Sequence, residues 1–167
     1  MRAAVKGRRR LPRLVLAADH GGVALKADLL RRLDGWGYPV RDLGTDTTEP
    51  VDYPEYAFAA ARAIRLGKAD RAILICKSGI GMAICANKSA GVRAALVRTP
   101  AEAELSRRHN DANVLVLSAN ELSARRARRI VETWLSSPFD GGRHRRRIGK
   151  IRRYEKAHWK DQAPRIH

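Results

Sequence analysis

The sequence predicts an α/β fold: a doubly wound, Rossmann-like parallel sheet of five strands, with helices on both faces and a further C-terminal helix. Three observations predict it. Short apolar runs alternate with longer amphipathic stretches from Leu14 to Leu135. Such alternation implies right-handed crossovers between parallel strands, which cover the sheet on both faces. Asp19, Gly44 and Gly79 stand in the loops after the first three strand-like runs, where the ligand loops of such sheets lie. The 167 residues and 44% hydrophobic content suit one domain with a real core.

Residues 14–18 read as the first strand, and 23–36 as an amphipathic helix with Val23, Leu29, Leu30, Leu33 and Trp36 on its apolar side. The second strand spans 38–43, followed by a loop over 44–54 rich in threonine, aspartate and proline. An alanine-rich helix over 56–66 stops at Gly67. The third strand, 71–76, leads into Gly79 and Gly81 and then a helix over 82–88. A fourth strand over 93–97 precedes Pro100, which suits the first turn of a helix running to His109. The fifth strand spans 114–117, and Ser123 caps a helix continuing to Leu135. The pair Gly141-Gly142 ends that region. In the helix beyond it, Arg143 and Arg147 share one face, and Ile148, Ile151 and Tyr154 give an apolar stripe. A short terminal helix needs a docking site, and a second subunit offers one. Fraying is expected beyond Ala157.

The formal charge of +17 belongs to the ends. Residues 1–13 hold six Lys or Arg and no acid; residues 141–167 hold ten against Glu155 and Asp161. The span 14–140 has a net charge of only +3. The predicted layout is a basic N-terminal tail (1–13), a domain (14–155) and a basic C-terminal tail (156–167). The tails read as solvated segments with weak, nonspecific attraction to nucleic acid, since no aromatic or base-reading motif accompanies the charge. A nucleic-acid-binding protein on a catalytically silent scaffold is the rival from another class. Two cysteines, Cys76 and Cys85, form neither a zinc set nor a disulfide framework, which fits a reducing cytoplasm. No apolar run approaches membrane-spanning length, and the run at 14–18 is too short for a secretory core.

Cys76 is the most informative residue. It ends the third strand and opens Lys77-Ser78-Gly79-Ile80-Gly81. Glycines there permit a sharp turn and close approach of the backbone to a ligand. A thiol beside a helix N-terminus and a row of backbone N–H groups is placed to act as a base and to hold an anionic intermediate. An inert core cysteine is the competing reading, and it is the one that suits Cys85.

Six segments together resemble the type B ribose-5-phosphate isomerase family, which also contains galactose-6-phosphate isomerase subunits. They are Asp19-His20-Gly21-Gly22, Asp52-Tyr53-Pro54, Cys76 through Asn87-Lys88, Gly91-Val92-Arg93-Ala94, Ser106 through Asn113, and Gly141-Gly142-Arg143-His144 with Arg147. The resemblance covers about residues 14–155. It implies aldose–ketose isomerisation of a sugar phosphate through an enediolate, without metal or nucleotide cofactor. Cys76 matches the family's base, and Ser78 keeps a hydroxyl beside it. Lys77, Ser78, Gly79, Ile80 and Gly81 match the loop that holds the enediolate oxygen. His109 matches the residue that opens the sugar ring, and Asn110 a substrate-binding position. Asp19 would orient sugar hydroxyls, His20 would lie near the phosphate, and Arg143 and Arg147 match phosphate-binding arginines, whose planar donors suit that anion.

Two departures stand out. Many relatives have Gly-Thr where this chain has Lys77-Ser78, and several place a phosphate-contacting arginine where it has Asn120. Ribose 5-phosphate and ribulose 5-phosphate are the expected pair; allose 6-phosphate, galactose 6-phosphate or a tetrose phosphate are the alternatives within the fold. The resemblance also implies a homodimer, or a tetramer built from it, with active sites shared between chains.

Overall fold

The computed structural model describes residues 10–159; the outer parts of both basic tails, 1–9 and 160–167, lie outside them. Five parallel strands form one sheet: β1 (Leu14–Ala18), β2 (Val40–Asp42), β3 (Arg71–Cys76), β4 (Ala94–Leu96) and β5 (Val114–Ser118). Their spatial order is β2-β1-β3-β5-β4. Six helices connect and flank them: α1 (Val23–Gly35), α2 (Tyr53–Arg65), α3 (Ile80–Ala86), α4 (Pro100–Asn110), α5 (Ala124–Ser136) and α6 (Gly142–His158).

The centre of the sheet is buried on both sides because β1, residues 72–76 of β3 and residues 114–117 of β5 carry apolar residues at successive positions. Leu14, Leu16, Ile73, Ile75, Leu115 and Leu117 face α1 and α5, where they meet Leu29, Leu33, Ile130 and Trp134. Val15, Ala17, Leu74, Cys76, Val114 and Val116 face α2 and α3, whose small Ala57, Ala60, Ala61 and Ala86 allow close approach. Burying each such branched side chain is worth about 1.5–3 kcal/mol against exposure. Arg71, at the start of β3, donates to the Trp134 and Leu135 carbonyls and lies over the Trp134 ring, which secures α5 to the sheet.

The elements arise where the sequence places them, with differences of extent. α2 begins at Tyr53 rather than at residue 56, because Asp52 stands at the N-cap and Pro54 fits the first turn. α3 begins at Ile80 rather than 82, because left-handed Gly79 (φ 76°) completes the turn earlier. The second strand shortens to three residues at the sheet edge. The apolar stripe expected on α6 is only partly realised: Ile148 is buried, whereas Ile151 and Tyr154 are 45% and 61% exposed. No helix of the described residues is long and apolar enough to cross a membrane.

Candidate active site

Parallel strands bring the loops after β1, β2, β3 and β5 to one edge of the sheet. Cys76 and Ser118 end neighbouring strands in direct register. Beyond them the loops are stitched together. The Ala119 N–H donates to the Cys76 carbonyl at 2.9 Å, the Asn120 N–H to the Lys77 carbonyl at 3.1 Å, and the Ser118 hydroxyl to that carbonyl at 2.7 Å. Asp19 is buried, and its Oδ1 accepts the Gly21 N–H at 2.9 Å. The Lys77 stem lies directly on Gly21, so any side chain at Gly21 would displace it. Lys77 thereby joins the loop after β1 to the loop after β3.

The loop after β2 is held by a lysine that the sequence reading passed over. Lys26 is 2% exposed, and its ammonium donates to Asp42 at 2.6 Å and Asp46 at 2.7 Å. A buried ammonium needs such partners, and through them it fixes the start of the 44–52 segment. The far end of that segment delivers the Val51 N–H to His20 Nδ1 at 3.1 Å. With Nδ1 accepting, the neutral His20 ring carries its proton on Nε2. Tyr53 then covers Gly81, where an added Cβ would lie 2.5 Å from the Tyr53 ring.

Cys76 is 5% exposed, and its Sγ accepts the Gly79 N–H at 3.1 Å. Its sulfur therefore faces the loop that the strand opens. The Ser78 hydroxyl oxygen accepts the Ile80 N–H at 3.3 Å, which leaves its O–H free to donate. Two of the loop amides expected to be open are thus occupied, one by the thiol and one by the serine. The Ser78 and Gly81 N–H groups have no partner among the described residues. Cys85 is half-buried on α3, where burial and the nearby Cys76 push its thiol up from the ordinary range.

Gly79 carries a positive φ, and a Cβ there would meet Leu96 and the Leu117 backbone. Gly79→Ala should cost about 1–3 kcal/mol from left-handed strain and crowding. Differential scanning calorimetry should register this as a Tm lower by several degrees, together with a loss of turnover as the loop shifts. A variant as stable and active as the parent would show that the loop tolerates another path.

His109 and Asn110 end α4, which runs back from the strand tips to the opposite edge. Their position there is fixed by Arg93, just before β4, whose Nε donates to the Asn110 and Asp111 carbonyls. The left-handed Asp111 (φ 46°) ends the helix and pairs with Arg93 and Arg107. The His109 ring stacks on His144 of α6, with centroids 4.3 Å apart and planes within 4°. Arg143 and Arg147 are exposed on α6 beside them. Asp140 is held by Arg108 at 3.1 and 3.2 Å, and that guanidinium keeps its carboxyl below the usual range. His109, Asp140 and His144 place ligand-type atoms within 4.8 Å of one another. Parallel stacking points the imidazole lone pairs side by side rather than toward a common centre, and Arg108 occupies the carboxylate. The cluster is therefore a stack beside an ion pair, not a metal cage.

One chain thus divides the candidate residues into two groups. Asp19, His20, Cys76, Lys77, Ser78, Gly79, Ile80, Gly81 and Asn120 lie at the carboxyl edge. His109, Asn110, Arg143 and Arg147 lie at the amino edge. The six residues of β3, at about 3.3 Å each, separate these edges by roughly 15–20 Å. Sequence reasoning missed Lys26, the Tyr53 cover and the His144 stack. The motif Arg143-His144 was visible, but nothing local pairs His144 with His109.

A family model described as Ribose/Galactose Isomerase matches residues 14–151. Ribose-5-phosphate isomerase B of Escherichia coli is 40% identical over 141 residues, covering 84% of this chain and 95% of that protein. The structure of Clostridium thermocellum ribose-5-phosphate isomerase B superposes with a TM-score of 0.85 at 43% identity, covering 87% of this chain and 98% of that one. Ribose-5-phosphate isomerase B of Mycoplasma genitalium, solved with bound ribulose 5-phosphate, has a TM-score of 0.83 at 41% identity and covers 86% of this chain and 96% of its own.

Proposed function

The chain belongs to the ribose/galactose isomerase family, and from that premise we propose that it interconverts ribose 5-phosphate and ribulose 5-phosphate through an enediolate, with Cys76 as the base. It is an isomerase. The observation that carries the finer reading is the Cys76 sulfur, bonded to the Gly79 amide at the edge where four loops converge. A group so placed can meet a carbon-bound proton while the adjacent donors meet the oxygen.

In this reading His109 takes the proton of the anomeric hydroxyl as the ring oxygen gains one, opening the furanose. The Cys76 thiolate removes the proton from C2, and the electron pair passes to the carbonyl oxygen. The Ser78 hydroxyl and the Ser78 and Gly81 N–H groups donate to that developing oxyanion; each such donor is worth about 3–4 kcal/mol in other enzymes. The C2 hydroxyl proton passes to the C1 oxygen, and the Cys76 thiol returns its proton to C1, which leaves C2 as the ketose carbonyl and the sulfur as thiolate again. Asp19 orients sugar hydroxyls, and His20, Arg143 and Arg147 hold the phosphate. Asn120 offers an amide where a guanidinium would add charge, and Lys77, folded over Gly21 beside Asp19, brings a cation to the same edge.

The site is completed by two chains in a homodimer. Two observations support this. The carboxyl-edge and amino-edge groups of one chain are too far apart to touch one sugar phosphate. Next to each lies uncovered apolar surface: Ile80 and Ile84 on one face of α3, and a groove of about 360 Å³ beside Asn110, lined by Val92, Ala95, Ile151 and Tyr154.

The test is a panel of ribose 5-, allose 6-, galactose 6- and erythrose 4-phosphates, ranked by kcat/KM with purified protein in EDTA. Ribose 5-phosphate is expected to lead by at least about tenfold. A different sugar at the head of the ranking replaces the substrate in this reading and leaves the reaction class in place.

A further inference from the structure

We propose that His144 is a positioning residue, which holds the His109 imidazole by its flat face and the Arg143 guanidinium by its ring nitrogen. The proposal rests on the functional reading above and deepens it, because it joins ring opening to phosphate grip through one side chain.

The local chain is built to place this ring. The Asp140 N–H donates to the Arg108 carbonyl at 3.0 Å, which ties the entry of α6 to α4. Gly141 and Gly142, both at positive φ, turn the chain, and the His144 N–H closes on the Gly141 carbonyl at 3.0 Å. The side chain arrives buried, only 8% exposed, and parallel to His109. Its Nε2 lies 3.4 Å from Arg143 Nε, the donor.

The surroundings favour a neutral ring. Burial lowers the His144 pKa first, and the nearby His109, Arg143 and Arg147 push it the same way; Asp140 opposes them. Asp140 is itself engaged by Arg108. A neutral His144 with Nε2 accepting carries its proton on Nδ1. It can then support a working imidazole without competing for the proton, and it can orient an arginine that is otherwise exposed. An apolar residue would fill the space but leave Arg143 Nε unguided. Preorganisation of this kind matters because small displacements of a reacting group are costly.

Three variants separate the two contacts. His144→Phe keeps the flat face and loses the acceptor: KM for ribose 5-phosphate should rise about 3–10-fold, with kcat within about twofold. His144→Gln keeps an acceptor and loses the face: kcat should fall about tenfold, with KM near the parent value. His144→Ala should show both defects. A merely structural role would lower Tm and alter all three variants alike. Kinetics identical in the three variants, or unchanged from the parent, overturn the proposal. Imidazole NMR of the substrate-free protein gives a readout independent of turnover. The His109 ring protons should lie upfield because of the stack, and move downfield in His144→Ala but not in His144→Phe. An unmoved signal overturns the positioning role. A normal NMR response with no turnover of any sugar phosphate overturns the functional reading instead.

Discussion

Cys76→Ala is expected to lower kcat on ribose 5-phosphate by about 10³-fold, within the range that a general base contributes. The expectation follows from where the sulfur sits. β3 runs through the middle of the sheet, between β1 and β5, and its last residue pairs with Ser118 of β5. The Cys76 carbonyl is bound by the Ala119 N–H, and its sulfur by the Gly79 N–H. Backbone and thiol are therefore both fixed toward the loop. Removing one buried sulfur should cost little more than about 1 kcal/mol in stability, so Tm should fall by only a few degrees. Cys76→Ser keeps an acceptor for Gly79 but supplies a far weaker base, and its kcat should fall nearly as far. KM should change little in either variant, because the phosphate contacts lie elsewhere. Retention of more than about a tenth of parental kcat in Cys76→Ala would assign proton abstraction to another group.

The second large effect concerns the split between the sheet edges. If each site takes Cys76 from one chain and His109 from the other, Cys76→Ala and His109→Ala should complement. Each homodimer is then defective at both sites. A mixed dimer has one site with both lesions and one with neither. Co-expression of the two variants at equal levels should restore about one quarter of parental activity, the statistical share for a two-fold dimer. The separately purified variants, assayed at the same concentration, give the baseline. Activity no higher than the sum of the two would mean that Cys76 and His109 do not act across a subunit boundary. The uncovered Ile80, Ile84, Ile151 and Tyr154 supply apolar surface for such an interface, and burial at about 25 cal/mol per Å² is the main force available to form it.

The three-layer architecture was legible because it depends on local patterns. Residues 72–76 are apolar throughout, which only a strand covered on both faces tolerates, and the strand appears there. Pro100 announces the start of α4, and the structure adds Thr99 and Glu102 in a reciprocal capping box. Tyr53 was harder to read, because the aspartate and proline around it signal a loop as readily as a helix entrance. Tyr154 belongs to an apolar stripe by spacing, yet it stands in solvent in one chain, since helical period identifies a face and not its occupant.

Period, turn chemistry and charge distribution, all properties of neighbours along the chain, were enough to establish a parallel α/β domain with basic ends and a cysteine at a strand tip. Only the folded molecule decided that Cys76 turns its sulfur to Gly79, that Lys77 rests on Gly21, that His109 meets His144, and that these groups occupy opposite edges. Such pairings depend on strand order and on the direction in which each crossover helix returns. Strand order is set by the packing of the whole sheet, so no short window of residues contains it.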